Sequence, residues 1–172
     1  MKRGQQKRGQ SRKATPDFPI RIDRISHEGR GLVRWGERML FVDGALPGEL
    51  VQVKITQKSS KVADGVAVAI LDPSPTRQTP SCPYAERCGG CSLQHMPHAD
   101  QLAHKINTLH ALMSKEGVSL SKVQQLPTLT AALRGYRRRA RLGVRWVRAK
   151  ERVLVGFREK ASNFIADIDG CE

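Results

Sequence analysis

Five short runs of strand-forming residues, separated by turn signals, occupy residues 18–71 and constrain the fold more than any other feature. The runs cover residues 20–25, 32–35, 39–42, 50–55 and 66–71, and the breaks between them are rich in Gly, Pro, Asp and Glu. Short runs of aliphatic residues bounded by such breaks are typical of β-strands. Five strands at this spacing predict a small closed or nearly closed barrel of the OB type, an architecture that often binds oligonucleotides.

The pattern becomes helical after a Pro/Ser/Thr-rich connection at residues 72–81. Leu102, Ile106, Leu109 and Met113 recur at helical spacing, which predicts one amphipathic helix over residues 97–116. Gly117 is placed to end that helix. The predicted fold class is therefore mainly β with one helix (α+β): an OB-like barrel followed by a cysteine-containing loop, the helix and a β-hairpin.

The chain carries a large positive charge that is unevenly distributed. Thirty Lys and Arg residues against sixteen Asp and Glu give a net charge of +14. The surplus lies in residues 1–16, with six basic residues and no acidic one, and in residues 132–172, with eleven basic and five acidic residues. This charge favours a polyanionic partner, of which nucleic acid is the first candidate. Residues 1–16 hold almost no large apolar side chain and are predicted to be a disordered basic tail.

Hydropathy argues against a membrane or secreted protein. The longest apolar run, residues 66–71, is far shorter than the ~20 residues that a transmembrane helix requires. Residues 4–15 contain no apolar stretch of the kind found in secretory signals. We therefore expect a monomeric cytoplasmic protein without a membrane partner.

Residues 136–148 alternate with a period of two, which predicts a strand with one apolar and one basic face. The apolar face would consist of Tyr136, Ala140, Leu142, Val144 and Trp146, interrupted only by Arg138, and would belong to the core. The basic face would consist of Arg137, Arg139, Arg141 and Arg145. A following strand at residues 153–157 would complete a hairpin and bring Arg158 close. Guanidinium groups suit phosphate oxygens, so a nucleic-acid contact is favoured over an ordinary solvated strand face.

The four cysteines predict a metal centre. Cys82, Cys88 and Cys91 form the pattern C-x5-C-G-G-C, and Cys171 follows near the end of the sequence. Gly89 and Gly90 allow the backbone to curl so that its amides approach the thiolates. Zinc held by the four cysteines, or by three of them with His95, and an iron–sulfur cubane on the four cysteines all remain open, because spacing alone does not separate them. A disulfide framework is disfavoured in a cytosolic chain.

Five motifs, in this order along the chain, resemble the N-terminal part of the RNA uracil-5 methyltransferases, in particular bacterial members that form 5-methyluridine in large-subunit ribosomal RNA. They are HEGRG at 27–31, FVDGALPGE at 41–49, the cysteine loop 82–91 with Gln94-His95, GYRRRAR at 135–141, and GFREK at 156–160 before Cys171. Five ordered motifs are a specific signal, whereas C-G-G-C alone would be a weak one.

The resemblance implies a division of the chain into two RNA-binding parts. Residues 17–75 would be a TRAM domain, an OB-like RNA-binding module, and residues 76–172 an incomplete iron–sulfur or central domain. The ligands of a [4Fe-4S] cluster would be Cys82, Cys88, Cys91 and Cys171. The contacts to large-subunit ribosomal RNA would come from Arg137, Arg139, Arg141, Arg145 and Arg158.

The resemblance also implies an enzyme whose catalytic part this sequence does not contain. Methylation of C5 in uracil with S-adenosylmethionine requires a thiolate that adds to C6 and a base that removes the C5 proton. Every cysteine here is assigned to the cluster, and no strand–Gly-rich loop–helix unit is present to bind the cofactor. We therefore expect the C-terminal Rossmann-like methyltransferase domain to be absent and the chain to transfer no methyl group alone.

Two other functions remain open at this point. A stand-alone, non-enzymatic RNA-binding protein with a structural four-cysteine zinc site would explain the barrel, the arginines and the cysteines. A redox module would explain a cluster but not the barrel or the arginines. Stoichiometric zinc would favour the first of these, whereas iron with acid-labile sulfide would favour the methyltransferase.

Overall fold

The computed structural model describes residues 17–121, 123–160 and 162–171, so the predicted basic tail at residues 1–16 lies outside the described residues. In chain order the strands and helix are β1 Phe18–Arg21, β2 Arg24–Ile25, β3 Gly31–Trp35, β4 Arg38–Asp43, β5 Leu50–Lys58, β6 Val62–Asp72, α1 His98–Lys115, β7 Gly143–Val147 and β8 Arg152–Gly156. Over these residues the protein is mainly β with one α-helix, which confirms the predicted fold class. No helix in the described ranges has the length and apolar character needed to span a membrane.

The first six strands form a sheet that closes on itself. Their order is β1-β5-β6-β4-β3-β2, and β1 and β2, at its two edges, are consecutive in the chain. The Ile22 N–H donates to the Glu49 carbonyl oxygen at 2.9 Å, while the Asp23 N–H donates to the Leu32 carbonyl oxygen at 3.2 Å. Neighbouring residues therefore bond to opposite edges, and the sheet forms the predicted OB-like barrel. The single first strand predicted over residues 20–25 is wrong, because its two halves pair with different strands.

The barrel interior is filled by aliphatic side chains. The fully or nearly fully buried members are Ile22, Val33, Leu40, Val42, Ala45, Val51, Val53 and Ala63. Burial of each Val, Leu or Ile side chain contributes about 1.5–3 kcal/mol to folding. Gly65 in β6 is required by close packing, because a Cβ there would lie 2.7 Å from Val53 Cγ1.

Strands β5 and β6 are longer than the sequence pattern predicts. β5 continues to Lys58 and β6 begins at Val62, so the hairpin extends past the apolar runs on both sides. The side chains of this extension are largely exposed, and a Ser59 N–H to Val62 carbonyl bond of 2.8 Å closes its turn. Only Ala63 and Gly65 of the extension are buried in the barrel, so the sequence shows no apolar run that would have predicted it.

The helix ends where the sequence predicts. Pro97 precedes the first turn and Glu116 is the C-terminal cap. Gly117 adopts a positive φ of 77°, its N–H donates to the Ser114 carbonyl oxygen, and the Val118 N–H donates to the Met113 carbonyl oxygen. These two bonds form a Schellman motif, which stops the helix.

Strands β7 and β8 form a hairpin that is shorter than predicted. Only residues Gly143–Val147 of the predicted strand 136–148 are paired, because β8 offers five partners, from Gly156 opposite Gly143 to Arg152 opposite Val147. The prediction that its apolar face belongs to the core is also wrong. Val144 and Trp146 are 68% and 57% exposed. Among the described residues, no other element covers that face of the two-stranded sheet.

Candidate functional site

The cysteine loop lies against the chain that leaves β8. A Cβ on Gly89 would lie 2.8 Å from the Arg158 carbonyl oxygen, and one on Gly90 would lie 2.8 Å from Phe157 Cδ2. The Gly90 N–H also donates to Cys88 Sγ at 3.3 Å. The two glycines thus permit close packing against residues 157–158, and one amide approaches a sulfur as the sequence predicts.

Backbone hydrogen bonds tie the cysteine loop to the segment after β8. Cys88 and Glu159 form an isolated antiparallel bridge, in which the Gly89 N–H donates to the Arg158 carbonyl oxygen at 2.8 Å. The Lys160 N–H donates to the Arg87 carbonyl oxygen at 2.9 Å, and Arg87 Nε lies 3.4 Å from Glu159 Oε1. The main chain therefore joins the cysteine loop to the segment after β8.

The four predicted ligands differ in exposure. Cys88 is buried, Cys82 is half-buried, and Cys91 and Cys171 are exposed. In residues 17–121, 123–160 and 162–171, no three His, Cys, Asp or Glu side chains are close enough to share one metal ion. The described conformation therefore does not present an assembled cage, and the four-cysteine assignment stays a prediction.

His95 is buried beside the cysteine loop in its neutral form. Burial, together with the positive charges of Arg77 and Lys160, lowers its pKa from 6.5 to about 4. Its Nε2 is buried without a hydrogen-bond partner among the described residues. A neutral imidazole with a free nitrogen is chemically suited to bind a metal, which is the property that the alternative zinc site requires.

The predicted RNA-binding arginines do not share one strand face. Arg145 lies in β7, whereas Arg137, Arg139 and Arg141 precede it in an exposed segment without regular structure. The guanidinium of Arg137 lies 5.4 Å from the centre of the Phe157 ring, a cation–π contact. We name residues 136–142, which carry Tyr136 and these arginines, the arginine arm.

The arginines are not neutralised by neighbouring acids. Within the described part of the chain, none of Arg137, Arg139, Arg141, Arg145 and Arg158 forms a salt bridge with a carboxylate, and Arg158 instead donates to Asn163 Oδ1 at 3.3 Å. Two acids near the hairpin are paired with other cations, since Asp167 pairs with Lys150 and Arg152 and Glu159 pairs with Arg87. The balanced surface that an ordinary solvated strand face would show is therefore absent from this region.

A cleft brings two of these arginines to the end of the barrel. It has a volume of about 630 Å³, and we name it the basic cleft. On the barrel side it is bordered by the turns that contain Gly29 and Gly44, and on the other side by Arg141, Leu142, Arg158 and Lys160. The sequence analysis did not predict Lys160 as a binding residue, although it lies in the GFREK motif together with Arg158.

Arg30 organises the barrel side of the basic cleft. Its Nη1 donates to Asp64 Oδ1 at 2.7 Å and its Nη2 to the Phe41 carbonyl oxygen at 3.2 Å. Its Nε lies 2.9 Å from Asp43 Oδ1 and forms an ion pair with it. The Nε–H is not directed at that oxygen and forms no hydrogen bond among the described residues. The guanidinium is thus used within the barrel, and its one positive charge is shared between Asp64 and Asp43, which lies at the edge of the cleft.

Comparison with known proteins identifies the barrel and its relatives. Residues 17–68 match the TRAM domain model. The chain is 44% identical over 158 residues to 23S rRNA (uracil(1939)-C(5))-methyltransferase RlmD of Alcanivorax borkumensis. The aligned residues make up 92% of this chain and 35% of that protein. The proteins of the same name from Thiobacillus denitrificans and Vibrio cholerae are 47% and 41% identical over 86% and 91% of this chain. The chain spans about a third of the length of these relatives, 34% and 35% for the latter two.

Proposed function

We propose that this chain, which belongs to the RNA (uracil-C5)-methyltransferase family and carries a TRAM domain, provides RNA recognition for the formation of 5-methyluridine in 23S ribosomal RNA. The observation that carries the proposal is that Arg137, Arg139, Arg141, Arg145 and Arg158 form no ion pair with a carboxylate of the described residues. Guanidinium groups in such a surface bind phosphate oxygens and thereby release the cations condensed on the RNA backbone.

The two parts of the chain would act together on the RNA. Residues 17–75 would form the TRAM domain and residues 76–172 the central domain. The main-chain bonds between Cys88, Gly89 and the segment at 158–160 support a fixed arrangement of the central part. A fixed arrangement favours binding because less conformational entropy is lost when RNA is bound.

The four cysteines would hold a [4Fe-4S] cluster in this function. The hydrogen bond from the Gly90 N–H to Cys88 Sγ supports this role, because amide donors stabilise the charge on cluster sulfurs. Four protein ligands would leave no iron open to a substrate, so the group would organise the loop. Methyl transfer would require S-adenosylmethionine and a further thiolate, and with all four cysteines used as ligands we expect no transfer by these residues alone.

One observation favours a second function, a non-enzymatic RNA-binding protein with a structural zinc. The neutral, buried imidazole of His95, four residues after Cys91, has an Nε2 without a hydrogen-bond partner among the described residues. Three thiolates and one imidazole are a common tetrahedral zinc set. The metal content of protein purified without oxygen distinguishes zinc from iron with sulfide.

The experiment that tests the proposed function compares RNA with DNA. A fragment of 23S ribosomal RNA and a DNA of the same sequence are titrated with the chain at near-physiological salt, and binding is followed by fluorescence anisotropy. We expect tighter binding to the RNA, because RNA-binding modules contact the 2′-hydroxyl. Equal affinity for the DNA would reduce the interaction to contact with any polyanion, and the proposal would fail.

The compartment in which such an interaction occurs would be the cytoplasm.

A further inference from the structure

We propose that the basic cleft binds one unpaired nucleotide of a single-stranded RNA, with a phosphate held by Arg141, Arg158 and Lys160. The inference rests on the proposed function and assigns a location to part of it. The barrel turns and the segment after β8 form opposite walls of the cleft, so the site exists only where the TRAM domain and the cysteine region meet.

The charges around the cleft favour an anion. Arg141 and Lys160 have no acidic partner among the described residues, and Arg158 contacts only the neutral Asn163 side chain. Two of the three carboxylates at the cleft are paired, because Asp43 shares Arg30 with Asp64 and Glu159 contacts Arg87. The third, Glu28, is largely exposed and lies 3.9 Å from His27 Nε2. The three cations therefore outnumber the two negative charges left uncompensated, one on Glu28 and one shared by Asp43 and Asp64.

The shape of the cleft favours a single strand. Its volume of about 630 Å³ is within the range of pockets that enclose one small molecule. Such a cavity can receive an unpaired nucleotide but not an A-form duplex, whose bases stay stacked inside the helix. Gly44 faces the cleft without a side chain, and an added Cβ there would meet nothing within 4 Å, so a ligand can approach the backbone of that turn.

The test measures the binding of a short uridine-rich single-stranded RNA to three variants of the full chain. Arg141→Gln and Lys160→Gln are the cleft variants, and Lys105→Gln, an exposed lysine of α1 outside the cleft, is the matched control. Each cleft variant should bind about threefold more weakly and should reduce the salt dependence of binding by about one ion, as expected for a lost phosphate contact. The control should bind as the unaltered chain does.

Four results would overturn the inference. If the unaltered chain binds RNA and the cleft variants bind it as well as Lys105→Gln does, the cleft is not the binding site, and the proposed function still holds. Equal binding of a fully paired hairpin of the same composition would remove the single-strand preference. If the unaltered chain binds no RNA, both proposals fail. If the cleft binds an acidic peptide and not RNA, the cleft is a site for a protein partner.

A second measurement uses the unaltered chain and so does not depend on the folding of variants. The RNA carries 4-thiouridine, and cross-linked peptides are identified by mass spectrometry after irradiation. We expect cross-links in the peptides that contain residues 28–30, 141–143 and 157–160. Cross-links confined to other peptides would contradict the proposal.

Discussion

The Arg77 guanidinium and the Glu49 carboxylate form a buried ion pair that fastens the connection after the barrel to the barrel itself. Arg77 Nε lies 2.6 Å from Glu49 Oε1, and its Nη2 lies 2.8 Å from Oε2. The Glu49 side chain is completely buried and also accepts hydrogen bonds from the Leu46 and Ser74 N–H groups. These contacts set the direction in which the chain leaves the barrel toward the cysteine loop.

Replacement of Glu49 by Gln should therefore destabilise the fold strongly. The variant leaves the Arg77 charge without its partner, a loss of about 3 kcal/mol in the free energy of unfolding by comparison with other buried pairs. Urea denaturation measures this change. The matched control is Glu37→Gln, at an exposed turn position, which should change stability by less than about 0.5 kcal/mol. Equal stability of the two variants would contradict the role of the pair.

The same ion pair should make stability depend on pH. Burial alone would raise the pKa of Glu49, but the hydrogen bonds from Arg77, Leu46 and Ser74 outweigh it, and the pKa lies below the ordinary 4.5. A carboxylate with a lowered pKa in the fold stabilises it fully above pH 4.5, and this contribution is lost as pH falls through the folded value. The stability difference between the unaltered chain and Glu49→Gln should shrink below pH 4.5. A difference that stays constant down to pH 3 would contradict this assignment.

Replacement of Gly90 by Ala should disturb the contact between the cysteine loop and Phe157. The added Cβ would lie 2.8 Å from Phe157 Cδ2, so the ring or the loop must move. We expect a loss of about 1–3 kcal/mol, the usual range for overpacking. Gly170→Ala is the control, because its Cβ would meet nothing within 4 Å. If thermal denaturation gives the same midpoint for both variants, residues 88–91 do not pack tightly against Phe157.

Replacement of Cys88 by Ser should remove the cluster. For the chain purified without oxygen we expect iron and acid-labile sulfide in equal amounts, at about four per chain, with the broad visible absorption of a thiolate-bound cubane. Cys88→Ser should lose most of both, and Ser92→Ala in the same loop should retain them. Unchanged iron in the serine variant would show that Cys88 is not a ligand, and zinc in the unaltered chain would support the second function.

The barrel could be predicted from the sequence because its strands are short aliphatic runs bounded by turn residues, and these signals are local. The point at which it closes could not, because the change of hydrogen-bond partner between Ile22 and Asp23 leaves no mark on the residue types. The helix was predictable to within a residue at each end, since Pro97 and Gly117 mark its limits.

The strand over residues 136–148 was predicted from a period-two pattern that the structure uses only in part. A strand needs a partner, and β8 provides one for Gly143–Val147 alone. The basic cleft and the Arg77–Glu49 pair join residues that are distant in sequence, so no local pattern could indicate them. What the sequence did provide was the identity of the basic residues, of which Arg141 and Arg158 meet at the cleft.

The measurement that most directly tests RNA recognition by this chain is a salt titration of its binding to a 23S ribosomal RNA fragment. The unaltered chain is compared with Arg139→Glu/Arg145→Glu, which reverses two exposed charges outside the basic cleft. We expect the variant to bind at least about tenfold more weakly and to show a shallower dependence of affinity on salt, because phosphate contacts and their released counterions are lost. Identical affinity and salt dependence for both proteins would show that these arginines form only a solvated surface and would contradict the account.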